Sequence, residues 1–365
     1  MYRKKPSMAG FFLLMLQKSI CKLYDKTTTM AKTNKKPICM APFTEVEVVE
    51  NGNVNCCCLQ YTDNFTFGNI FKDGGFEKVW NGRRAKAFRR EVNNGNYTFC
   101  NTQICNFGRL APKKTRQNLN AEYPKYVTIG YDKTCNLMCT TCRDCIIRDR
   151  TMTDEELDEN IEKYYLPICK NAEELILNSI GECLISKHSR RLIQKVSETY
   201  PNLKFNIMTN GTVCNEIVLK HLGLIGRLST VQISINAATK KTYNKITRTG
   251  NFDCVMKNLK WLSEQKKKGE IPCIIINFVT HKGNYKEMPA FVKLATKYDV
   301  TASFWEVQNW GYTKFFDKFD DNAVFHRDNP LFDDFLNVLK NPIFDSPNCL
   351  LNSLFTELRE EALQM

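Results

Sequence analysis

The chain has 365 residues, 43% hydrophobic and 25% charged, which is a globular composition long enough for two domains or one large barrel with an appendage. Its net charge of +13 comes from scattered residues with short runs at Arg83-Arg84, Arg89-Arg90 and Lys266-Lys267-Lys268, a solvated basic surface and not a nucleic-acid site. The 17 cysteines are odd in number and grouped at 39, 56–58, 100 and 105, and 135–145, which excludes a secreted disulfide scaffold and implies thiol-bound metal in the reducing cytoplasm. Only four histidines are present, none in a cysteine group, which leaves all-thiolate zinc or iron–sulfur.

Residues 1–30 read as a disordered or loosely helical tail. The apolar stretch Ala9 to Leu16 is far short of the roughly 20 residues that span a bilayer, and no small-x-small cleavage site follows it.

Residues 31–120 read as a small domain with little core of its own. Phe43 to Val49 and the run from Val54 flank Asn51-Gly52, a hairpin turn signal, and Cys56-Cys57-Cys58 follow. Strand alternation sends Cys56 and Cys58 away from Cys57, so Cys57 is the favoured ligand of the three, with Cys56 or Cys58 as the alternative. A basic helix from Phe76 to Asn93 leads to Cys100 and Cys105, and a metal would hold such a domain together.

From Tyr126 to Val307 short, apolar, β-branched strands alternate with amphipathic helices. The strands are 126–131, 174–178, 203–208, 230–235, 273–279 and 301–307, as buried parallel strands should be. Thr153 and Glu156 make a capping box, and later helices fall at about 187–199, 214–224, 251–265 and 286–298. Six βα units predict a parallel α/β barrel or open sheet, with chemistry at the C-terminal strand ends. Residues 121–320 therefore form the core domain and 321–365 a C-terminal extension that covers a barrel edge.

Cys135, Cys139 and Cys142 follow the first of these strands in a CxxxCxxC spacing. Three thiolates can hold three irons of a [4Fe-4S] cluster and leave the fourth open, although zinc with Cys145 as a fourth ligand satisfies the same spacing. This spacing resembles the signature of the radical S-adenosylmethionine (radical SAM) superfamily, and the ends of the later strands carry further likeness. Gly181 and Glu182, in Asn178-Ser-Ile-Gly-Glu-Cys, resemble half of that family's Gly-Gly-Glu-Pro motif; Ile180 and Cys183 depart from it. Thr209-Asn210-Gly211 resembles its Thr-Asn-Gly turn, and Ser234-Ile-Asn236 stands where relatives carry Ser-Ile-Asp. Arg248 lies in an Arg-x-Gly stretch.

The resemblance implies a partial (β/α)6 TIM-like barrel of radical SAM type. It implies SAM contacts from Gly181, Glu182, Thr209, Asn210, Ser234, Asn236 and Arg248, and reductive cleavage of SAM to a 5′-deoxyadenosyl radical that abstracts hydrogen. Cys39, Gly52, Cys57, Cys100 and Cys105 resemble the SPASM or twitch auxiliary-cluster domains of that superfamily, as do Phe67-Gly-Asn-Ile and Val79-Trp-Asn-Gly. That resemblance implies one auxiliary cluster held by Cys39, Cys57, Cys100 and Cys105, with structural zinc as the alternative, in a domain that here precedes the barrel instead of following it. The implied substrate is a peptide or protein, the alternatives being a carbohydrate or small metabolite, and the implied electron donor is a low-potential flavodoxin or ferredoxin. A non-catalytic metal-binding protein with a degenerate SAM site is the reading from another class. Cys145, Trp305, Glu306 and Trp310 are pocket candidates.

Overall fold

The computed structural model describes residues 38–57, 59–62, 64–102, 105, 110–111, 117–130, 132–148, 152–177, 181–309 and 313–365. The expected tail 1–30, Cys58, Trp310 and Asn178 to Ile180 lie outside them. The chain divides into two compact units, the first comprising Met1–Lys133, Asp149–Ile207 and Leu222–Ser229, the second Thr134–Arg148, Met208–His221 and Thr230–Met365.

In the first unit, β1 (Ile38–Cys39) and the short helix α1 (Ala41–Thr44) lead to a hairpin of β2 (Glu45–Val48) and β3 (Asn53–Asn55). Its antiparallel register pairs Val48 with Val54, and Gly52 takes φ 81°, as the Asn-Gly signal required. β4 (Gly68–Asn69) pairs with β3, and the expected single basic helix is two, α2 (Phe76–Trp80) and α3 (Arg83–Asn94). The interruption falls at Asn81-Gly82, where an added Cβ on Gly82 would lie 2.7 Å from the Lys78 carbonyl oxygen. β5 (Leu110–Ala111) pairs antiparallel with β1.

β2 also pairs in parallel with β6 (Tyr126–Ile129), Glu45 opposite Tyr126 and Val48 opposite Ile129. The capped helix α4 (Asp154–Asn160) precedes β7 (Glu174–Leu177), and α5 (Lys187–Thr199) connects β7 to β8 (Lys204–Thr209). Both members of the Thr153–Glu156 capping box form. β6, β7 and β8 are parallel neighbours, so the strand order in this unit is β8-β7-β6-β2-β3-β4. The segment expected to have little core buries Phe43, Phe67, Phe76, Trp80 and Phe88, so its aromatics supply a core that the sequence reading underestimated.

In the second unit, the helix α6 (Glu216–His221) precedes β9 (Leu228–Ser234), whose residues from Thr230 on belong here. Two helices, α7 (Lys240–Thr247) and α8 (Phe252–Lys267), separate β9 from β10 (Cys273–Thr280), and α9 (Met288–Tyr298) leads to β11 (Thr301–Glu306). α7 was not expected from the sequence. After α10 (Phe319–Asn322) and α11 (Phe332–Leu339), β12 (Cys349–Leu351) adds a parallel strand beside β11, and α12 (Ser353–Gln364) follows. The extension thus adds β12 to the β11 edge. The order is β12-β11-β10-β9, all parallel.

Each unit is α/β with a mostly parallel sheet, and all six expected core strands form in the expected order. On β10 and β11, Phe278 and Phe304 turn to α9, with rings 4.8 and 5.8 Å from that of Phe291. By strand alternation Asn277, Ser303 and Trp305 face the other side of the sheet. Phe278 is fully buried and also meets Phe304 at 5.4 Å. Phe278→Ala is expected to lower stability by about 3–5 kcal/mol, as large-to-small changes in packed aromatic cores do. Anaerobic urea unfolding reads this as a lower midpoint with an unchanged slope.

Candidate functional site

The loop carrying Cys135, Cys139 and Cys142 belongs wholly to the second unit, and the neighbours that fix it come from three segments far along the chain. Its two ends meet in an isolated bridge, Cys135 N–H donating to the Ile147 carbonyl at 2.9 Å. Helix geometry leaves the last carbonyls of α7 without intrahelical partners, and two of them serve the loop. Thr140 N–H donates to Ile246 O at 2.9 Å and Met138 N–H to Thr247 O at 3.3 Å. Thr313 Oγ1 donates to the Thr140 carbonyl at 2.7 Å.

Arg248 completes this seam. It takes φ 60°, an uncommon backbone state for a residue with a side chain, and its guanidinium donates to the carbonyls of Met138 and Arg143 and contacts Asp144 at 3.3 Å. The side chain read from the resemblance as a SAM contact is thus engaged in holding the cysteine loop. Gly250 completes the Arg-x-Gly stretch for steric reasons, since a Cβ there would lie 2.5 Å from Thr247 Oγ1 and 2.7 Å from the Tyr243 ring.

The Thr209-Asn210-Gly211 turn is wired to the same loop. Asn210 Nδ2 donates to Asn136 Oδ1 at 2.9 Å and lies 3.9 Å from Cys135 Sγ, and Asn136 Nδ2 donates to Thr212 Oγ1 at 3.0 Å. Thr212 closes the circuit through its N–H and hydroxyl to Asn210 Oδ1. Gly211, at φ 78°, has no room for a side chain, because a Cβ would lie 2.7 Å from Ile233. Thr209 Oγ1 accepts from Gly211 N–H at 3.1 Å.

Electrostatics around the sulfurs favour a cationic guest. Burial, then Cys142 and Cys135, push the Cys139 thiol far up, against the pull of Arg143 and Arg248. Burial draws the Arg143 guanidinium down, but Cys142, Cys135 and Cys139 outweigh it and hold it above its ordinary value. Arg143 is 8% exposed and its Nε and Nη2 each lie 3.4 Å from Cys142 Sγ. Leu137 N–H donates to Cys135 Sγ at 3.5 Å. Soft thiolate donors supported by N–H groups at two sulfurs fit an iron–sulfur cluster, whose potential such contacts tune. Arg143 was not singled out from the sequence; an arginine adjacent to a ligand cysteine was the available signal.

The other expected SAM residues fall as follows. Asn236 takes φ 62° after β9, and its Oδ1 accepts from Val279 N–H at 2.8 Å. Ser234 stands in register with Asn277, whose buried amide has no hydrogen-bond partner on either atom among the described residues. Asn277 in turn pairs with Ser303, which accepts from Trp305 Nε1 at 2.8 Å. These polar groups share the face opposite α9. Glu306 does not join them: it turns to the helix side, where Asn352 Nδ2 and Gln308 Nε2 donate to it. Cys145 is exposed.

In the first unit, Glu182 is 1% exposed and its Oε1 accepts from Leu184 N–H at 3.3 Å. Nearby in sequence, Ser186 caps α5 and donates to Asp132, which His188 Nδ1 approaches at 3.7 Å.

The same unit gathers the N-terminal thiols. Burial chiefly, and then Cys57, raise Cys39 well above its usual range, and Cys105 adds to this. Burial raises Cys56, whose neighbours include Cys100 and Cys39. Cys57 is raised well above its usual range first by its contact with Cys56, then by burial. The four expected ligands Cys39, Cys57, Cys100 and Cys105 therefore share one electrostatic neighbourhood, and Cys56 belongs to it as well. The alternation argument that set Cys56 aside fails, because β3 ends at Asn55 and the two sulfurs lie 3.6 Å apart in a bend. Among the described residues no three or more His, Cys, Asp or Glu side chains stand as a closed metal cage.

Comparison with known proteins agrees with this geometry. Residues 133–295 match the Radical SAM superfamily, and residues 39–106 match SPASM, an iron-sulfur cluster-binding domain. The chain belongs to the radical SAM superfamily. Its cofactors are SAM with a [4Fe-4S] cluster and an auxiliary iron–sulfur cluster in the N-terminal SPASM domain.

A GTP 3′,8-cyclase of Chlorobaculum tepidum is 27% identical over 188 residues, 50% of this chain and 53% of that protein. The molybdenum cofactor biosynthesis protein moc-5 of Caenorhabditis elegans is 24% identical, over 56% of this chain and 32% of its own. The chain thus spans about half or less of these curated relatives. Among solved structures, Streptococcus suis SuiB bound to precursor peptide SuiA aligns with TM-score 0.47 and 16% identity, covering 78% of this chain and 66% of that one.

Loss of the Arg248 seam should loosen the cysteine loop. Arg248→Ala is expected to retain about half or less of the wild-type iron and sulfide at the Cys135 loop after anaerobic gel filtration, the roughly tenfold-or-greater effect typical of lost supporting contacts being the upper expectation. Iron counted in a background lacking Cys39, Cys57, Cys100 and Cys105 checks this.

Proposed function

We propose that this chain is a radical SAM enzyme that cleaves SAM reductively to abstract hydrogen from a peptide or protein substrate. The observation that supports it most directly is the Cys135, Cys139, Cys142 loop, three thiols fixed by α7, by Arg248 and by the Asn210 turn. Three thiolates leave one iron of a four-iron cluster without a protein ligand. SAM bound there supplies a 5′-deoxyadenosyl radical as the hydrogen-abstracting agent.

The chain's own residues provide the setting. Arg143 and the Leu137 N–H stabilise charge on the sulfurs, while Asn210 and Asn136 fix the side of the loop nearest Cys135. Ser234, Asn277 and Ser303 offer hydrogen-bonding groups in one register across β9, β10 and β11, suited to a ribose or to polar substrate atoms. Gly181 and Glu182 keep the methionine-binding role that the family resemblance gives them. Domain limits of 31–120, 121–320 and 321–365 accompany this reading, with a low-potential flavodoxin or ferredoxin as electron donor.

The peptide substrate is favoured by the SPASM domain at residues 39–106. A small-molecule substrate is the second reading, and the partial sequence likeness to GTP 3′,8-cyclases is what favours it.

The reconstituted protein, given SAM and dithionite without oxygen, is expected to yield methionine and 5′-deoxyadenosine. Cys139→Ala should reduce that yield at least a hundredfold. Absence of 5′-deoxyadenosine from protein with a fully loaded cluster, across peptide and nucleotide additions, would sink the enzyme reading. Conversion of GTP in the same assay would replace the peptide by a nucleotide.

A further inference from the structure

Among the described residues Arg89 is the most deeply buried charge, with no measurable exposure, although it stands in the basic run Arg89-Arg90 that the sequence assigns to the surface. Its contacts are mostly neutral carbonyls. Nε donates to Pro42 O at 2.7 Å, and Nη1 to Trp80 O at 2.9 Å, Asn81 Oδ1 at 3.0 Å and Leu119 O at 3.1 Å. The guanidinium lies 4.3 Å from the Trp80 ring centre, with Phe67 and Phe43 at 5.8 and 6.0 Å. Nη2 is buried and has no hydrogen-bond partner among the described residues.

A buried cation answered only by dipoles and rings is costly, so a counter-charge is expected close by. The thiol neighbourhood is the source that the fold provides. Pro42 is three residues from Cys39, and Phe88, beside Arg89, stacks on Phe99, beside Cys100, at 5.6 Å and 25°. Burial pulls Arg89 down to about 10, and the charge on Cys56 is what acts against it. The charge of Glu45, 5% exposed, also raises Cys39, Cys56 and Cys57.

We propose that Arg89 is the built-in counter-charge of the auxiliary iron–sulfur cluster and raises its reduction potential. Four thiolates and a four-iron cluster carry net negative charge, which grows by one on reduction, so a buried cation stabilises the reduced state more than the oxidised one. Arg89 is a positioning and tuning residue in this role, not a cluster ligand. The inference rests on the presence of iron and sulfide at the N-terminal thiols.

The test uses the full chain with Cys135, Cys139 and Cys142 replaced by serine, so that only the auxiliary cluster gives a signal. One electron passes from dithionite to the cluster, no bond forms or breaks, and the reduced fraction is read by electron paramagnetic resonance at a series of poised potentials. Arg89→Gln should lower the potential so that, at a fixed poise, the oxidised-to-reduced ratio rises about tenfold, which is about 59 mV for one electron. Arg89→Lys keeps the charge and should stay within about twofold of the parent. Asn81→Asp, which sets a carboxylate against Arg89, should move the ratio in the direction of Arg89→Gln.

An unchanged potential in Arg89→Gln overturns the proposal. Should that variant load no cluster, an unchanged potential in Asn81→Asp, or a tenfold shift in Arg89→Lys, overturns it instead. Zinc in place of iron and sulfide would overturn the cluster assignment itself, and this inference with it.

Discussion

Thiolates are stable ligands only where their charge is answered, and the gathering of two groups of partly or fully buried cysteines is the constraint around which this fold is arranged. A buried thiol resists ionisation, as Cys139, Cys39 and Cys57 all do, while a metal-binding sulfur must be ionised. Each group is therefore set beside an arginine that is itself largely removed from water. Arg143 sits against Cys142, and Arg89 lies among aromatic rings in the domain of the N-terminal thiols. The metal supplies the rest of the compensation, so cluster assembly and consolidation of these loops are one thermodynamic event.

The cysteine loop also shows how little of a site's rigidity is local. Its spacing is short, yet what fixes it is an α7 carbonyl pair, Arg248 from 110 residues beyond Met138, and Thr313 from 173 residues beyond Thr140. Parallel strands suit this arrangement, because successive strand ends deliver distant segments to one end of a sheet. Asn236 and Gly211 occupy positive-φ positions there, where a short polar side chain or none is tolerated.

Much of this was legible in the sequence because the signals are local. Alternating apolar strands and amphipathic helices placed all six core strands, Asn51-Gly52 marked its hairpin, and Thr153 with Glu156 marked a helix start. The three cysteines announced themselves by spacing. The failures share a physical cause, which is that tertiary context decided them. Arg89 reads as surface in a basic run because nothing nearby reveals the aromatic box that encloses it. The loop-holding contacts of Arg248 were not legible either, because its carbonyl partners lie a hundred residues away. Cys56 was set apart from Cys57 by extending strand alternation one residue beyond the end of β3, and Glu306, a pocket candidate, turns to the helix side because it keeps the parity of Phe304.

The parallel pairing of β2 with β6 has a consequence for the order in which the chain can fold. The hairpin is made early, but its neighbour Tyr126 to Ile129 emerges about eighty residues later, on the order of ten seconds at ordinary rates of synthesis. During that interval β2 presents an unsatisfied edge, and Cys100 and Cys105 emerge only about twenty residues before β6 does. A nascent chain that acquires its N-terminal metal during that pause gains a closed, compact segment before the core strands arrive. Placing the cluster domain first thus puts its last two thiols within about twenty residues of the strand that closes the β2 edge.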